Sequence, residues 1–230
     1  MSTASIIENA QRSGRKILDE IESKRLLTEN GVPTTDTRLA KSHEEAISLA
    51  GELGLPVALK IVCADITHKS DIGGVQLGLS TEAAVAKAYD EILAAVKIRC
   101  PDSEIKGVSV QSMARSVVEI IVGMSKDPQF GPVLMFGLGG TQVEILEDVS
   151  FRIAPISRLD AREMIREIKG YPLLEGYRGS QHINIEALED ILLRISELVA
   201  ATPQIKELDL NPIFARPDDA IAVDARVILE

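Results

Sequence analysis

Between Lys60 and Val75 a short apolar run, Val57 to Val62, empties into Cys63-Ala-Asp65-Ile-Thr-His68-Lys69-Ser70-Asp71-Ile-Gly73-Gly74. This stretch offers an imidazole, two lysines, two carboxylates and a Gly-Gly pair within sixteen positions. A neutral imidazole is a competent nucleophile toward phosphoryl groups, lysine supplies a point charge to phosphate, and paired glycines let the backbone approach a ligand closely. His68 is the candidate nucleophile and Lys60 the candidate phosphate contact; a loop histidine that only hydrogen-bonds and a strand-end lysine that snorkels are the plainer readings of the same residues.

A second cluster lies near the C-terminus: Glu207-Leu-Asp209-Leu-Asn211-Pro212, a turn at Arg216 to Asp219, then Ala222-Val-Asp224. Asp209 and Asn211 share a face of a regular strand, and Asp224 on the returning arm of a hairpin could meet them. Few, mixed carboxylate and amide oxygens suit Mg²⁺ held jointly with phosphates. A solvated hairpin carrying surface acids accounts for the same residues. Gly131 to Gly140 ends an apolar strand in a glycine-rich turn that could present amides to phosphate. It lacks the Gly-Lys-Ser/Thr ending of a P-loop and has no helix after it as a dinucleotide-binding turn would.

These segments are positioned by alternating helices and strands, an α+β or α/β order rather than a bundle. The spacing predicts a helix from Ile17 to Leu27 stopped by Gly31 and Pro33, a strand from Thr34 to Ala40, and a helix opened by Ser42 with Glu45 as a capping box. The Val57 to Val62 strand reads as buried on both faces, and a helix from Glu82 to Arg99 follows the loop. Strands are expected at Val108–Met113, Val118–Met124, Val133–Phe136, Val143–Leu146 and Phe151–Ile156, helices at Leu159–Ile168 and Ile185–Ala201, and closing strands at Ile205–Leu210 and Ala220–Leu229. The expected organisation is an N-terminal extension (1–16), a first subdomain (17–105) and a second (106–230).

Composition narrows the function classes. A chain of 230 residues that is 45% hydrophobic can bury a substantial core. A formal charge of −10 opposes unaided binding to nucleic acid or anionic membranes. Met1 to Gln11 lacks the pattern of a signal peptide and no apolar run has membrane-spanning length, so a cytoplasmic location is expected. Cys63 and Cys100 have neither disulfide-framework nor zinc spacing and read as small apolar residues. His43, after a helix cap, and His182, in a polar loop, read as non-catalytic.

In order along the chain, Leu55-Pro-Val-Ala-Leu-Lys60, Asp65-Ile-Thr-His68-Lys-Ser-Asp71-Ile-Gly-Gly-Val75, Asp127-Pro-Gln-Phe-Gly-Pro132 through Gly140, Phe151-Arg-Ile-Ala-Pro155 and Asp209-Leu-Asn211-Pro212 resemble the β subunit of ADP-forming acetyl-CoA synthetase, a relative of succinyl-CoA synthetase. The resemblance implies an ATP-grasp fold with two subdomains clamping nucleotide between antiparallel sheets. It implies ATP/ADP as substrate and Mg²⁺ as cofactor. Lys60 would contact the phosphates, Asn211 and Asp224 would be the Mg²⁺ ligands with Asp209 adjacent, and Gln111, Met113 and Glu119 would lie near the base and ribose. His68 matches a histidine implicated in handing a phosphoryl group between the nucleotide and a histidine of the partner. Arg152 could pair with phosphate or, as a strand arginine, with Glu144 or another acid; Tyr171 to Gly179 could contact the partner or shape the cleft. The implied partner is an α subunit carrying CoA-binding and ligase domains, in an α2β2 hetero-oligomer. A self-contained carboxylate–amine ligase and a non-catalytic nucleotide-binding or scaffolding subunit are the competing readings; the first has no obvious use for His68 and the second none for intact Mg²⁺ ligands.

Overall fold

The structure is a computed structural model and describes residues 2–63, 69–140, 148–177 and 181–230. Its contacts divide the chain into two compact units, one of Met1–Leu18, Glu22–Thr34 and Arg115–Glu230, the other of Asp19–Ile21 and Thr35–Ala114. The division departs from the boundaries expected at 16 and 105. Most of residues 17–34 joins the C-terminal unit, and β4 (Gly107–Ser112) joins the smaller one because it pairs with β1 (Thr37–Ala40) and β2 (Val57–Val62).

In the smaller unit the described strands form an antiparallel four-stranded sheet ordered β1-β4-β2-β3, with β3 spanning Val75–Leu79. Two of the chain's helices cover one face. Helix α3 (His43–Leu53) starts at Ser42, whose side chain accepts the Glu45 amide; the box is not reciprocal, because the Glu45 carboxylate accepts from the Lys41 amide instead. Helix α4 (Glu82–Arg99) buries Val85, Ala88, Tyr89, Ile92 and Val96, an apolar stripe at helical spacing. These side chains close over Leu59 and Ile61 of β2 and Val108 and Val110 of β4. Strand β3 was not expected, since Gln76 and Gly78 interrupt its apolar pattern.

In the larger unit, β5 (Val118–Asp127), β6 (Gly131–Leu138), β7 (Val149–Ile153), β8 (Ile205–Ala215) and β10 (Arg226–Leu229) form a sheet ordered β10-β8-β5-β6-β7, with β9 (Ala220–Ala222) paired to β8. Helices α5 (Arg158–Glu167) and α7 (Ile185–Ala201), with α1 (Thr3–Arg12), α2 (Glu20–Glu29) and the short α6 (Tyr171–Leu174), contribute to its core around Phe136, Leu134 and Ile120. The expected N-terminal extension is thus part of this unit: Ser2 caps α1, and Ile6, Ile7 and Ala10 on one face are buried in the core. The expected closing strand at 220–229 is two strands separated by a bend, and β8 runs on through Pro212. The expected strand Val143–Leu146 lies outside the described residues. No helix among the described residues is long and apolar enough to cross a membrane.

Candidate active site

Strand alternation decides which side chains leave the cores. In β2, Leu59 and Ile61 face the helices, so Lys60 projects from the other face, where it stands opposite Ser109 of β4. The Ser109 hydroxyl donates to the Lys60 carbonyl at 3.2 Å. Gln111, two residues along β4, shares that face and is buried, whereas Met113 lies just past the strand and is half exposed. Lys60 is itself only 6% exposed. It is held by Glu20, the first residue of α2, at 2.9 Å, and the other oxygen of the same carboxylate takes Lys69 at 2.7 Å. Beside them Lys106 pairs with Asp19 at 2.7 Å.

Lys69 opens a tight turn that returns to β2. The Gly74 amide donates to the Lys69 carbonyl at 2.7 Å, and the Ile61 amide donates to the Gly74 carbonyl at 2.8 Å. A Cβ on Gly74 would stand 2.8 Å from Ile61 Cγ2 and 2.9 Å from the Lys69 carbonyl oxygen, so only glycine fits where turn and strand meet. The expected nucleophile, His68, precedes this turn and lies outside the described residues.

In the larger unit the oxygen-bearing side chains sit on β8. Leu208 and Leu210 are buried in the core, leaving Glu207, Asp209 and Asn211 on the open face. Pro212 has no N–H to give a central strand, and the ladder between β5 and β8 accommodates it with an irregularity: Ile120 pairs with Ile213 but Val122 with Leu210. Across from β8, Ile213 pairs with Ala222 and Asp209 with Arg226 in one continuous register, which sets Asp224 opposite Asn211 in the bend between β9 and β10. Burial raises the Asp209 carboxyl above its ordinary range, the charge of Asp224 adds to the shift, and Arg226 opposes it. A cavity of about 210 Å³ on this face is lined by Gly123, Met135, Phe151, Glu207, Asp209 and Arg226, among others. Glu119 lies on the same face of β5 as Gly123, with its carboxylate against Gly140 and its carbonyl accepting the Gly139 amide at 2.7 Å.

Among the described residues no group of three or more His, Cys, Asp or Glu side chains is preassembled around a metal. The arrangement has a different character: the register brings the Asn211 amide level with the Asp224 carboxylate, one oxygen of which accepts the Ala225 amide, and the Asp209 carboxylate nearby is held against its preference for water. Two hard oxygen ligands with open positions fit Mg²⁺, which keeps places for phosphate oxygens and water.

Arg152 does not join this face. It alternates with Phe151 and Ile153 on β7, and its guanidinium lies on the helix side, 2.7 Å from Glu167 at the end of α5, while Ser150 on the same side donates to the Met164 carbonyl. This pair is the one that the strand-arginine reading anticipates, with Glu167 as the acid; Glu144 lies outside the described residues. Phe151 and Ile153, although apolar, are both more than half exposed. His43 stands beside Glu44 and Asp90, and His182 is exposed. Sequence reasoning missed Glu20, which lies forty positions before Lys60 with no spacing signal to link them. Arg226 was legible in principle, two residues beyond Asp224 and thus level with Asp209 once the hairpin is drawn.

The chain matches the ATP-grasp domain family over residues 9–229. It is 50% identical over 97% of its length to the β subunit of acetate–CoA ligase [ADP-forming] I of Pyrococcus furiosus, covering 96% of that protein. It is 45% identical over 97% of its length to acetate–CoA ligase [ADP-forming] I of Archaeoglobus fulgidus, of which it spans only 32%. Among solved structures, the dinucleotide-forming acetyl-coenzyme A synthetase 1 of Ca. Korarchaeum cryptofilum, in complex with coenzyme A and Ca-AMPCP, superposes with a TM-score of 0.97 at 48% identity over 99% of this chain and 100% of that one. The same enzyme with coenzyme A and Mg-AMPPCP, its phosphohistidine segment pointing towards the nucleotide binding site, gives a TM-score of 0.89 at 44% identity, again over 99% and 100% of the two chains. Likeness over nearly the whole of both chains, at these identities, places the chain in the ATP-grasp family, among the β subunits of ADP-forming acetate–CoA ligases.

Proposed function

We propose that the chain is the nucleotide-binding β subunit of a cytoplasmic, heteromeric ADP-forming acyl-CoA synthetase, which interconverts carboxylate, CoA and ATP with acyl-CoA, ADP and phosphate. The observation that carries the reading is the hairpin register that brings Asp224 level with Asn211, beside Asp209 on an open sheet face. Asn211 and Asp224 would hold Mg²⁺, with Asp209 adjacent, and the bound ion offsets phosphate charge during transfer. Lys60 contacts the phosphates; Glu119, Gln111 and Met113 serve the base and ribose. The His68 imidazole attacks the γ-phosphorus of ATP, forming a P–N bond as the bond to the ADP oxygen breaks, and passes the phosphoryl group to a histidine of the partner; the reverse direction regenerates ATP. Support for the phosphohistidine comes from the similar synthetase solved with such a segment pointing towards its nucleotide site.

The partner is an α subunit with CoA-binding and ligase domains, in an α2β2 assembly. The Archaeoglobus relative supports the partner, because the region like this chain is about a third of one longer polypeptide. Mixing the chain with an α-type subunit, acetyl-CoA, ADP, phosphate and Mg²⁺ should yield ATP, with neither chain active alone. Acyl phosphate made by this chain unaided would indicate a carboxylate–amine ligase, and nucleotide binding with no turnover in the mixture would indicate a non-catalytic subunit.

A further inference from the structure

We propose that Glu20 is a positioning residue for the phosphate end of the nucleotide, acting by holding Lys60 and Lys69 together through one carboxylate. The inference rests on the nucleotide-binding reading above and adds two residues to it, Glu20 and Lys69.

The geometry is specific. Each oxygen of the carboxylate engages a different lysine, at 2.9 and 2.7 Å, and the Glu20 side chain is 1% exposed. Long lysine side chains ordinarily keep their rotamer freedom and lose it only at an entropic cost. Here both are tied to one point: Lys60 from the central strand β2, and Lys69 from the turn whose Gly74 carbonyl is bonded back to β2. Glu20 stands at the start of α2, where unsatisfied helix amides favour a negative charge.

A carboxylate beside two lysines lowers the local charge, which by itself weakens attraction for phosphate. What its removal costs is order: Lys60 and Lys69 lose the carboxylate that fixes both, and each long side chain regains rotamer freedom that phosphate binding must then take away. With Glu20 present the two ammonium groups keep fixed positions. An ammonium has three donors, so Lys69, with one bond to Glu20, still has N–H groups to offer a phosphate. Order therefore outweighs charge, and Glu20 strengthens binding of the polyphosphate.

The test is calorimetric titration of the full chain with Mg·AMPPCP and, separately, AMP, in the wild type, Glu20→Gln and Glu20→Asp. Glu20→Gln should weaken Mg·AMPPCP binding at least tenfold while AMP affinity stays within twofold, and Glu20→Asp, which keeps the charge, should recover part of the loss. Equal losses for both nucleotides would show Glu20 to be a structural support only, and unchanged or tighter Mg·AMPPCP binding in Glu20→Gln would show that it competes with phosphate; either overturns the inference. A wild-type chain that binds neither nucleotide would overturn the nucleotide-binding reading itself.

Discussion

Lys60→Met and Glu20→Leu remove the two ends of one buried ion pair, and the structure says they should not cost the same. After Lys60→Met the Glu20 carboxylate keeps Lys69 at 2.7 Å, and methionine fills much of the lysine stem's volume, so the loss should be about 1–2 kcal/mol. Glu20→Leu takes the shared carboxylate from two lysines. Lys69 is 16% exposed and can turn toward water, whereas Lys60 at 7% stays buried, so the cost should exceed that of Lys60→Met and reach the ~3–5 kcal/mol typical of removing one partner of a buried pair. For a protein of this size each kcal/mol shifts the melting temperature by about 2–4 °C. Circular-dichroism melts should therefore show a drop of about 2–8 °C for Lys60→Met and about 6–20 °C for Glu20→Leu. The double variant should be more stable than Glu20→Leu alone, because the Lys60 ammonium that Glu20 held is gone as well. Equal losses, or a larger one for Lys60→Met, would refute the picture of one carboxylate serving two lysines.

Other perturbations probe the rest of the account. Asp224→Ala should reduce the Mg²⁺-dependent part of triphosphate affinity at least tenfold, about 1.4 kcal/mol, read as the difference between titrations with and without Mg²⁺. The Asp209 carboxyl is raised above its ordinary 3.8, so the folded state holds that proton more tightly than the unfolded chain. Stability contributed by this group is present at low pH and is lost as pH rises from 3.8 through the folded value; without Mg²⁺, melting curves of Asp209→Asn should lack that part of the loss, and an identical pH profile would remove Asp209 from the burial argument. Gly74→Ala should destabilise by about 1–3 kcal/mol, since its Cβ would meet Ile61 and the Lys69 carbonyl, and a neutral result would show that the turn can shift. Arg152→Ala removes a partly exposed ion pair and should change stability by no more than about 1 kcal/mol while leaving nucleotide affinity intact; a tenfold loss of affinity would reinstate it as a phosphate ligand.

Local signals were enough for much of the architecture. The Glu82 to Arg99 stripe, the apolar β2 and the turn at Arg216 to Asp219 each carry periodicity or turn chemistry in a few adjacent residues, and the last of these brings Asp224 level with Asn211. What escaped depends on packing between distant segments. Nothing near Glu20 announces two lysines, because the contact exists only once Asp19–Ile21 joins the small sheet's unit. Helix α1 is mostly polar, and its three buried residues acquire meaning only from the core they enter. The orientation of β7 is likewise set by its neighbours: the open side of the sheet takes the apolar Phe151 and Ile153, and the helix side takes Ser150 and Arg152.

The central claim, that this chain passes a phosphoryl group between nucleotide and partner, is tested most directly by incubating it and an α-type subunit with γ-labelled ATP and Mg²⁺, beside a His68→Ala version, and assaying acid-labile, base-stable label on each chain. The account predicts label that requires Mg²⁺ and disappears from both chains in the variant. Undiminished labelling of the partner with His68→Ala would contradict it.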